Sequence, residues 1–266
     1  MKNYPNIIAK LFYEPLVLTK AKHFAIWKVL ESRLGGQAML PTPEEVAEVA
    51  AEEWELTGPD AIIPVHGILG KHMSGMEMAS GGCDLGRVSA MVDIAAADPS
   101  VTRLVFDFNS PGGEVTGVPE LARKIASITS KDTVAFTDSE CCSGALWLAA
   151  QCQHFYASES SSVGSIGVWC AYLDLSRQMA NQGENMQEIS AGKYKTMGAY
   201  WKPLTETERA MVQAQVDKIY VQFKEAVNSR REVADEHMQG QIFDGLEAVE
   251  VGLIDGVIDS LDEILA

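Results

Sequence analysis

Three short stretches of this chain combine residue types that can carry out nucleophilic chemistry: Ser143-Gly144, Asn109-Ser110-Pro111-Gly112-Gly113 and Gly192-Lys193-Tyr194-Lys195-Thr196. In the first, a strand from Thr133 to Thr137 is predicted to pass through a polar break, Asp138-Ser139-Glu140, into an apolar helix that starts at Ser143. A hydroxyl at a helix start lies near backbone N–H groups, and the helix dipole favours negative charge developing there. A nucleophilic serine needs that setting. Serine is equally a favoured helix N-cap, and most serines so placed do nothing more. In the second stretch, a Pro-Gly-Gly turn after a strand brings bare backbone close to a ligand, with N–H groups able to face a carbonyl. Pro-Gly is also an ordinary turn signal. Lys193 and Lys195 sit in a predicted loop, where lysines are normally solvated charges.

The elements around these stretches alternate. Strands are predicted at Ala61 to Val65, Val101 to Phe108, Thr133 to Thr137, His154 to Ala157, Gly167 to Leu173, Met186 to Ser190 and Leu253-Ile254. Between them lie helices from Asp84 to Ala97, with Asp84 as N-cap, from Val115 to Ile128, after Ser143, and from Ser176 to Asn181. A long helix starts at Thr205, where Thr205 and Glu208 form a capping box, and runs to about Val233; a short one lies near Leu246. Gly67 to Gly82 reads as a long Gly/Met-rich loop. Strand–helix alternation implies a mainly parallel sheet covered by helices. Upstream, a short helix, a Pro turn at Glu14-Pro15, a helix from about Thr19 to Arg33 and an acidic linker lead to a boundary near Gly58-Pro59.

The net charge is −16, which argues against a nucleic-acid or anionic-membrane partner. Residues 1–36 are nevertheless basic, with six Lys/Arg and two acids. The five cysteines form no CxxC pair, and the histidines show no metal-ligand spacing, so reduced thiols and no metal are expected. Adjacent Cys141 and Cys142 read as small buried hydrophobes. No segment is apolar enough to span a membrane and no signal-peptide core is visible, so the protein is expected in the cytoplasm.

Taken in order, the motifs resemble peptidase family S49: strand, Ser-Pro-Gly-Gly, helix, strand, Ser-Gly, helix; then Gly164-Ser165-Ile166-Gly167-Val168; then Gly-Lys-Tyr-Lys ahead of Pro203-Leu204-Thr205-Glu206-Thr207-Glu208-Arg209. Phe223 to Arg231 and Gly245 to Gly256 match as well, so the resemblance runs from about Gly58 to Val257. It implies an α/β, ClpP/crotonase-like fold, with a parallel β-sheet core flanked by helices in a peptidase domain over 58–266. That domain would follow an N-terminal helical extension and linker over 1–57. It further implies a serine endopeptidase with Ser143 as nucleophile and Lys195 as general base. Ser165 would hold the lysine, and the oxyanion hole would use the N–H of Gly144 and one N–H of Gly112 or Gly113. No cofactor is implied. The partners would be a polypeptide substrate and further copies of the chain in a ring-like homo-oligomer, with serine and lysine from one subunit or from neighbours.

A lysine base must be neutral, and an ordinary lysine with a pKa of about 10.4 is neutral in roughly one molecule in a few thousand at pH 7. Burial away from water and anions corrects this. Lys195 is therefore expected in an apolar pocket without a carboxylate, with Tyr194, Met197 and Trp201 as walls. The family's Ser-Gly-Gly-Tyr is replaced here by Ser-Gly-Ala-Leu-Trp, and Ala145 and Trp147 are expected to reshape the substrate pocket. Ile8 to Leu16 resembles the start of phage and prophage members, which cut capsid and scaffold proteins in the host cytoplasm or assembling prohead. Longer members carry a scaffold domain after the protease; none follows Ala266, so a separate scaffold is expected. The alternatives are a cytosolic peptidase for signal-peptide fragments, a crotonase-like acyl-CoA enzyme and a non-catalytic assembly subunit.

Overall fold

A computed structural model describes residues 15–19 and 55–266. The chain divides into two compact units, Met1–Leu16 with Val168–Val221, and Val17–Gly167 with Gln222–Ala266. In chain order the elements are β1 (Leu16–Leu18), β2 (Glu55–Thr57), β3 (Asp60–His66), β4 (Ile68–Gly70), α1 (Gly75–Ala79), β5 (Gly82–Asp84), α2 (Leu85–Ala97), β6 (Arg103–Asn109), β7 (Gly112–Glu114) and α3 (Val118–Ala126). They continue with β8 (Asp132–Thr137), β9 (Glu140–Cys142), α4 (Gly144–Ala149), β10 (His154–Ala157), β11 (Ser162–Gly164), α5 (Ser176–Asn181), α6 (Glu206–Asn228), β12 (Ile242–Phe243), α7 (Gly245–Glu250), β13 (Gly256–Val257) and α8 (Asp262–Leu265).

The larger unit is built on a six-stranded sheet in the order β13-β10-β8-β6-β3-β2. Every pairing from β13 to β3 is parallel, and β2 alone runs antiparallel. Parallel strands covered on both faces are apolar almost throughout: Leu104, Val105 and Phe106 of β6 are all fully buried. Helix α2 buries Leu85, Val88, Val92 and Ala95, one stripe at helical spacing, and starts from Asp84, whose side chain accepts the Arg87 N–H. All six residues of α4 are buried, so this helix runs inside the core. Two smaller sheets, β1-β7-β4-β5 and β12-β11-β9, carry the short strands that follow the main ones.

Several expectations need correction. Gly67 to Gly82 is not an open loop, because β4, α1 and the start of β5 lie in it, and Ser74 caps α1 through a capping box with Glu77. Gly167 to Leu173 forms no strand beyond a single bridge between Trp169 and Leu16. Met186 to Ser190 is irregular and exposed. Both runs have strand composition, but among the described residues neither finds a partner ladder, and a strand without one does not persist. The last strand falls at Gly256–Val257 rather than at Leu253-Ile254, and α6 ends at Asn228. Glu55–Thr57, expected in the linker, pairs with β3. Leu16–Leu18 is a strand where only a turn and a helix were expected around Pro15. The remainder of the predicted extension, 1–14 and 20–54, lies outside the described residues.

The C-terminal motifs have structural work. Asp255 accepts the Phe155 N–H at 2.7 Å and pairs with Arg231 at 2.7 Å. Arg231 also donates to the Cys152 carbonyl at 3.0 Å. Phe223 stacks on Trp147 with ring centroids 4.6 Å apart, and Gln151 donates to the Ala226 carbonyl. The end of α6 is thereby fastened to β10 and α4.

Candidate active site

Ser143 occupies the single residue between β9 and α4. Its backbone stands at φ 55, ψ −117, and its hydroxyl makes no capping hydrogen bond. A helix N-cap has extended backbone and accepts an N–H two or three residues on. Ser143 does neither, so the capping reading that the sequence allows is not the role this serine plays. A serine on a strained strand-to-helix turn is instead the geometry of a nucleophile elbow. Its amide donates to the Gly164 carbonyl at 2.8 Å, and its own carbonyl accepts from Trp147 at 3.0 Å. The N–H of Gly144 belongs to the first turn of α4, where no intrahelical acceptor exists.

Gly112, at φ 93, lies against this turn. A Cβ there would stand 2.0 Å from the Val17 carbonyl oxygen, 2.9 Å from the Gly144 nitrogen and 3.0 Å from the Cys142 carbonyl oxygen. All three are backbone atoms, so only glycine fits. A Cβ on Gly113 would meet the Leu69 carbonyl oxygen at 2.0 Å, and one on Gly144 would meet the Val17 side chain at 2.9 Å. The fold thus brings the Pro-Gly-Gly turn to the backbone on either side of Ser143.

Ser110, which sequence reading passed over as part of a turn, organises this junction. It is fully buried. Its hydroxyl donates to the Gly67 carbonyl at 2.6 Å and accepts the Gly112 N–H at 3.2 Å. Its amide donates to the Glu140 carbonyl at 2.7 Å, and its carbonyl accepts the Cys142 N–H at 3.0 Å. The turn carrying the glycines is thereby tied to the strand carrying the serine. The one available signal was its place directly before Pro-Gly-Gly.

Cys141 and Cys142 are buried as expected, and burial pushes the Cys142 thiol up to about 12. Ser165 is half-buried at φ 58, with its amide donating to the Gln241 carbonyl. Trp147 is 2% exposed and Ala145 is fully buried, so the stack on Phe223 makes Trp147 a core residue rather than a wall of a substrate pocket. His154 is exposed on β10 beside Tyr156.

Lys195 belongs to the other unit. It lies in a run of turns, its amide donating to the Gly192 carbonyl at 3.1 Å. Among the described residues no ion pair joins Lys195 to a carboxylate. The acid of this segment, Glu188, is taken by Lys202 at 2.8 Å, Thr196 at 2.6 Å and the Trp201 indole at 3.4 Å. Those bonds, Lys202 first, hold the Glu188 carboxyl down to about 2. Lys195 is exposed, and Tyr194, expected as a wall of its pocket, is 38% exposed. Lys193 places its ammonium over the Tyr194 ring, 5.1 Å from the centroid. Among the described residues no His/Cys/Asp/Glu group could hold a metal ion, and no helix is long and apolar enough to cross a membrane.

The sequence of residues 126–265, more than half of the chain, matches the model of peptidase family S49. The chain is 27% identical to the head-tail preconnector protein GP5 of Enterobacteria phage P21 over 99% of its own length and 57% of the relative's. It is 25% identical to capsid assembly protease C of Escherichia phage lambda, over 99% of this chain and 65% of that one. It therefore spans less than two thirds of either relative. Among solved structures, a crystal structure of an enoyl-CoA hydratase/isomerase family member aligns at 15% identity with a TM-score of 0.41, over 77% of this chain and 69% of that one.

Proposed function

Because the chain belongs to peptidase family S49, we propose that it is a serine endopeptidase in which Ser143 attacks a peptide carbonyl and Lys195 takes the hydroxyl proton. The observation that carries this reading is the conformation of Ser143: a buried serine at φ 55, ψ −117, with no capping bond, set against the Gly112 backbone. Strain of this kind costs about 1–3 kcal/mol and persists only where the surroundings enforce it. A catalytic elbow gives that strain a purpose and a cap does not. The oxyanion formed on attack would be met by the Gly144 N–H and by the N–H of Gly113, or by that of Gly112 if it turns from the Ser110 hydroxyl it now donates to. Ser165 would orient the lysine.

Lys195 needs a dry environment to lose its proton, and lowering its pKa by about three units corresponds to about 4 kcal/mol. Lys195 is exposed, and we assign its enclosure to an adjoining subunit. Apolar side chains near it in sequence, Ile189 at 98% exposure and Met186 at 44%, offer surface for that contact. This supports a homo-oligomer, ring-like in the manner the family implies.

The substrates we assign are capsid or scaffold proteins in a phage-infected cytoplasm or prohead. The phage relatives, one of them named a capsid assembly protease, align along 99% of this chain. The test is co-expression with the neighbouring capsid and scaffold proteins and mass spectrometry of the products. Ser143→Ala and Lys195→Ala each abolish cleavage while the fold, followed by circular dichroism, stays intact. Full cleavage by either variant removes the dyad.

A further inference from the structure

Ser143 is 1% exposed, and Gly112, Gly113 and Gly144 are buried around it. A peptide cannot reach a hydroxyl in that state, so something covers the site. The cover is β1. In the sheet order β1-β7-β4-β5, β7 carries the two glycines and has β4 on one side. Its other edge is occupied by β1. The Val17 carbonyl oxygen lies over Gly112, and a Val17 methyl lies over Gly144, the residue next to the nucleophile. Thr19 donates its N–H to the Pro111 carbonyl at 3.3 Å. Leu16, Val17 and Leu18 are 2%, 0% and 3% exposed.

An extended segment that pairs by main chain with a sheet edge and seats one side chain beside the reactive group is how strand-addition sites take peptides. Taking Ser143 as the nucleophile, on which this inference rests, we propose that Leu16–Leu18 is an intramolecular pseudosubstrate. The edge of β7 is the peptide-binding edge, and the chain holds it closed with its own residues. Two consequences follow. The site accepts extended aliphatic peptides with a small β-branched residue next to Ser143, the pattern of Leu-Val-Leu. Activity also requires β1 to leave, so each incoming substrate binds more weakly by the fraction of chains that are open.

The test uses the full chain, Val17→Pro, which removes a strand N–H, and Val17→Gly, which removes only the side chain over Gly144. Two quantities are read: the rate at which a fluorophosphonate labels Ser143, and amide exchange at Gly112–Glu114. Both rise in the variants, labelling by about tenfold or more. Free peptide with the sequence Pro-Leu-Val-Leu-Thr-Lys reverses both, and a scrambled peptide does not. Folded variants that label and exchange at parental rates overturn the proposal while leaving Ser143 as nucleophile. Exchange that responds to substitution and peptide, with no chain labelling at Ser143, instead removes the hydrolytic reading and keeps the binding edge. If Val17→Pro does not fold, Val17→Gly decides by the same two readings.

Discussion

Replacing Ser143 by alanine and by glycine separates backbone strain from chemistry. Its φ 55, ψ −117 is the geometry of the first central residue of a type II′ turn, which glycine adopts without a Cβ clash. Holding any other residue there costs about 1–3 kcal/mol. Glycine releases that strain but returns about 0.4–1 kcal/mol through the greater freedom of its unfolded chain. Alanine keeps the Cβ and so keeps the strain. No capping bond is lost in either case. The balance favours Ser143→Gly over Ser143→Ala by about 1 kcal/mol, or roughly 2–4 °C in Tm for a chain of this size. Scanning calorimetry of the two variants measures the difference directly. Both variants lose cleavage of a capsid or scaffold substrate, because neither carries a hydroxyl. A glycine variant that melts at or below the alanine variant refutes the strain, and cleavage retained by either refutes the nucleophile.

Ser110→Ala strips the Gly67 carbonyl and the Gly112 N–H of their shared partner; at about 1–3 kcal/mol for each buried group left unpaired, Tm falls by at least about 4 °C in a thermal melt. Asp255→Ala leaves the Arg231 guanidinium, 6% exposed, with only the Cys152 carbonyl among the described residues, and leaves the Phe155 N–H without its acceptor. Urea unfolding shows a loss of about 2–3 kcal/mol, with Asp255→Asn intermediate because it can still accept the Phe155 N–H. Glu188 is held below its ordinary carboxyl value of 4.5 at about 2, so the order it lends Thr196–Lys202 is complete above pH 4.5 and is lost as pH falls towards 2. Amide exchange of that segment across this range follows the loss in the parent chain, and Glu188→Gln shows no such pH dependence.

Much of the fold was legible because its signals are local. Asp84 caps α2 and the helix ends at Ala97, as read from the cap and the apolar stripe. His154–Ala157 and Ser176–Asn181 fall on the predicted bounds. Thr205 and Glu208 make their capping box, with bonds of 2.9 and 3.3 Å. Each of these depends on residues three or four positions apart, which a linear reading sees. Strands were less secure. Met186 to Ser190 and Leu16–Leu18 are both short runs, and among the described residues only the apolar second one finds an edge to pair with. That edge, β7, lies far away in sequence.

The candidate site divides along the same line. From sequence alone came the candidates, Ser143, Lys195 and the glycines, because ordered motifs resemble a family whatever the packing around them. Folding decided what those residues are able to do. It forced Ser143 into a backbone conformation that its own neighbours in the chain do not favour, and it used a buried Ser110 hydroxyl to join two turns. It also left Lys195 open to water and laid Val17 across the glycines. None of these follows from nearby residues, since each is a contact or a strain sustained by segments tens of residues apart, and only their close packing makes such arrangements stable.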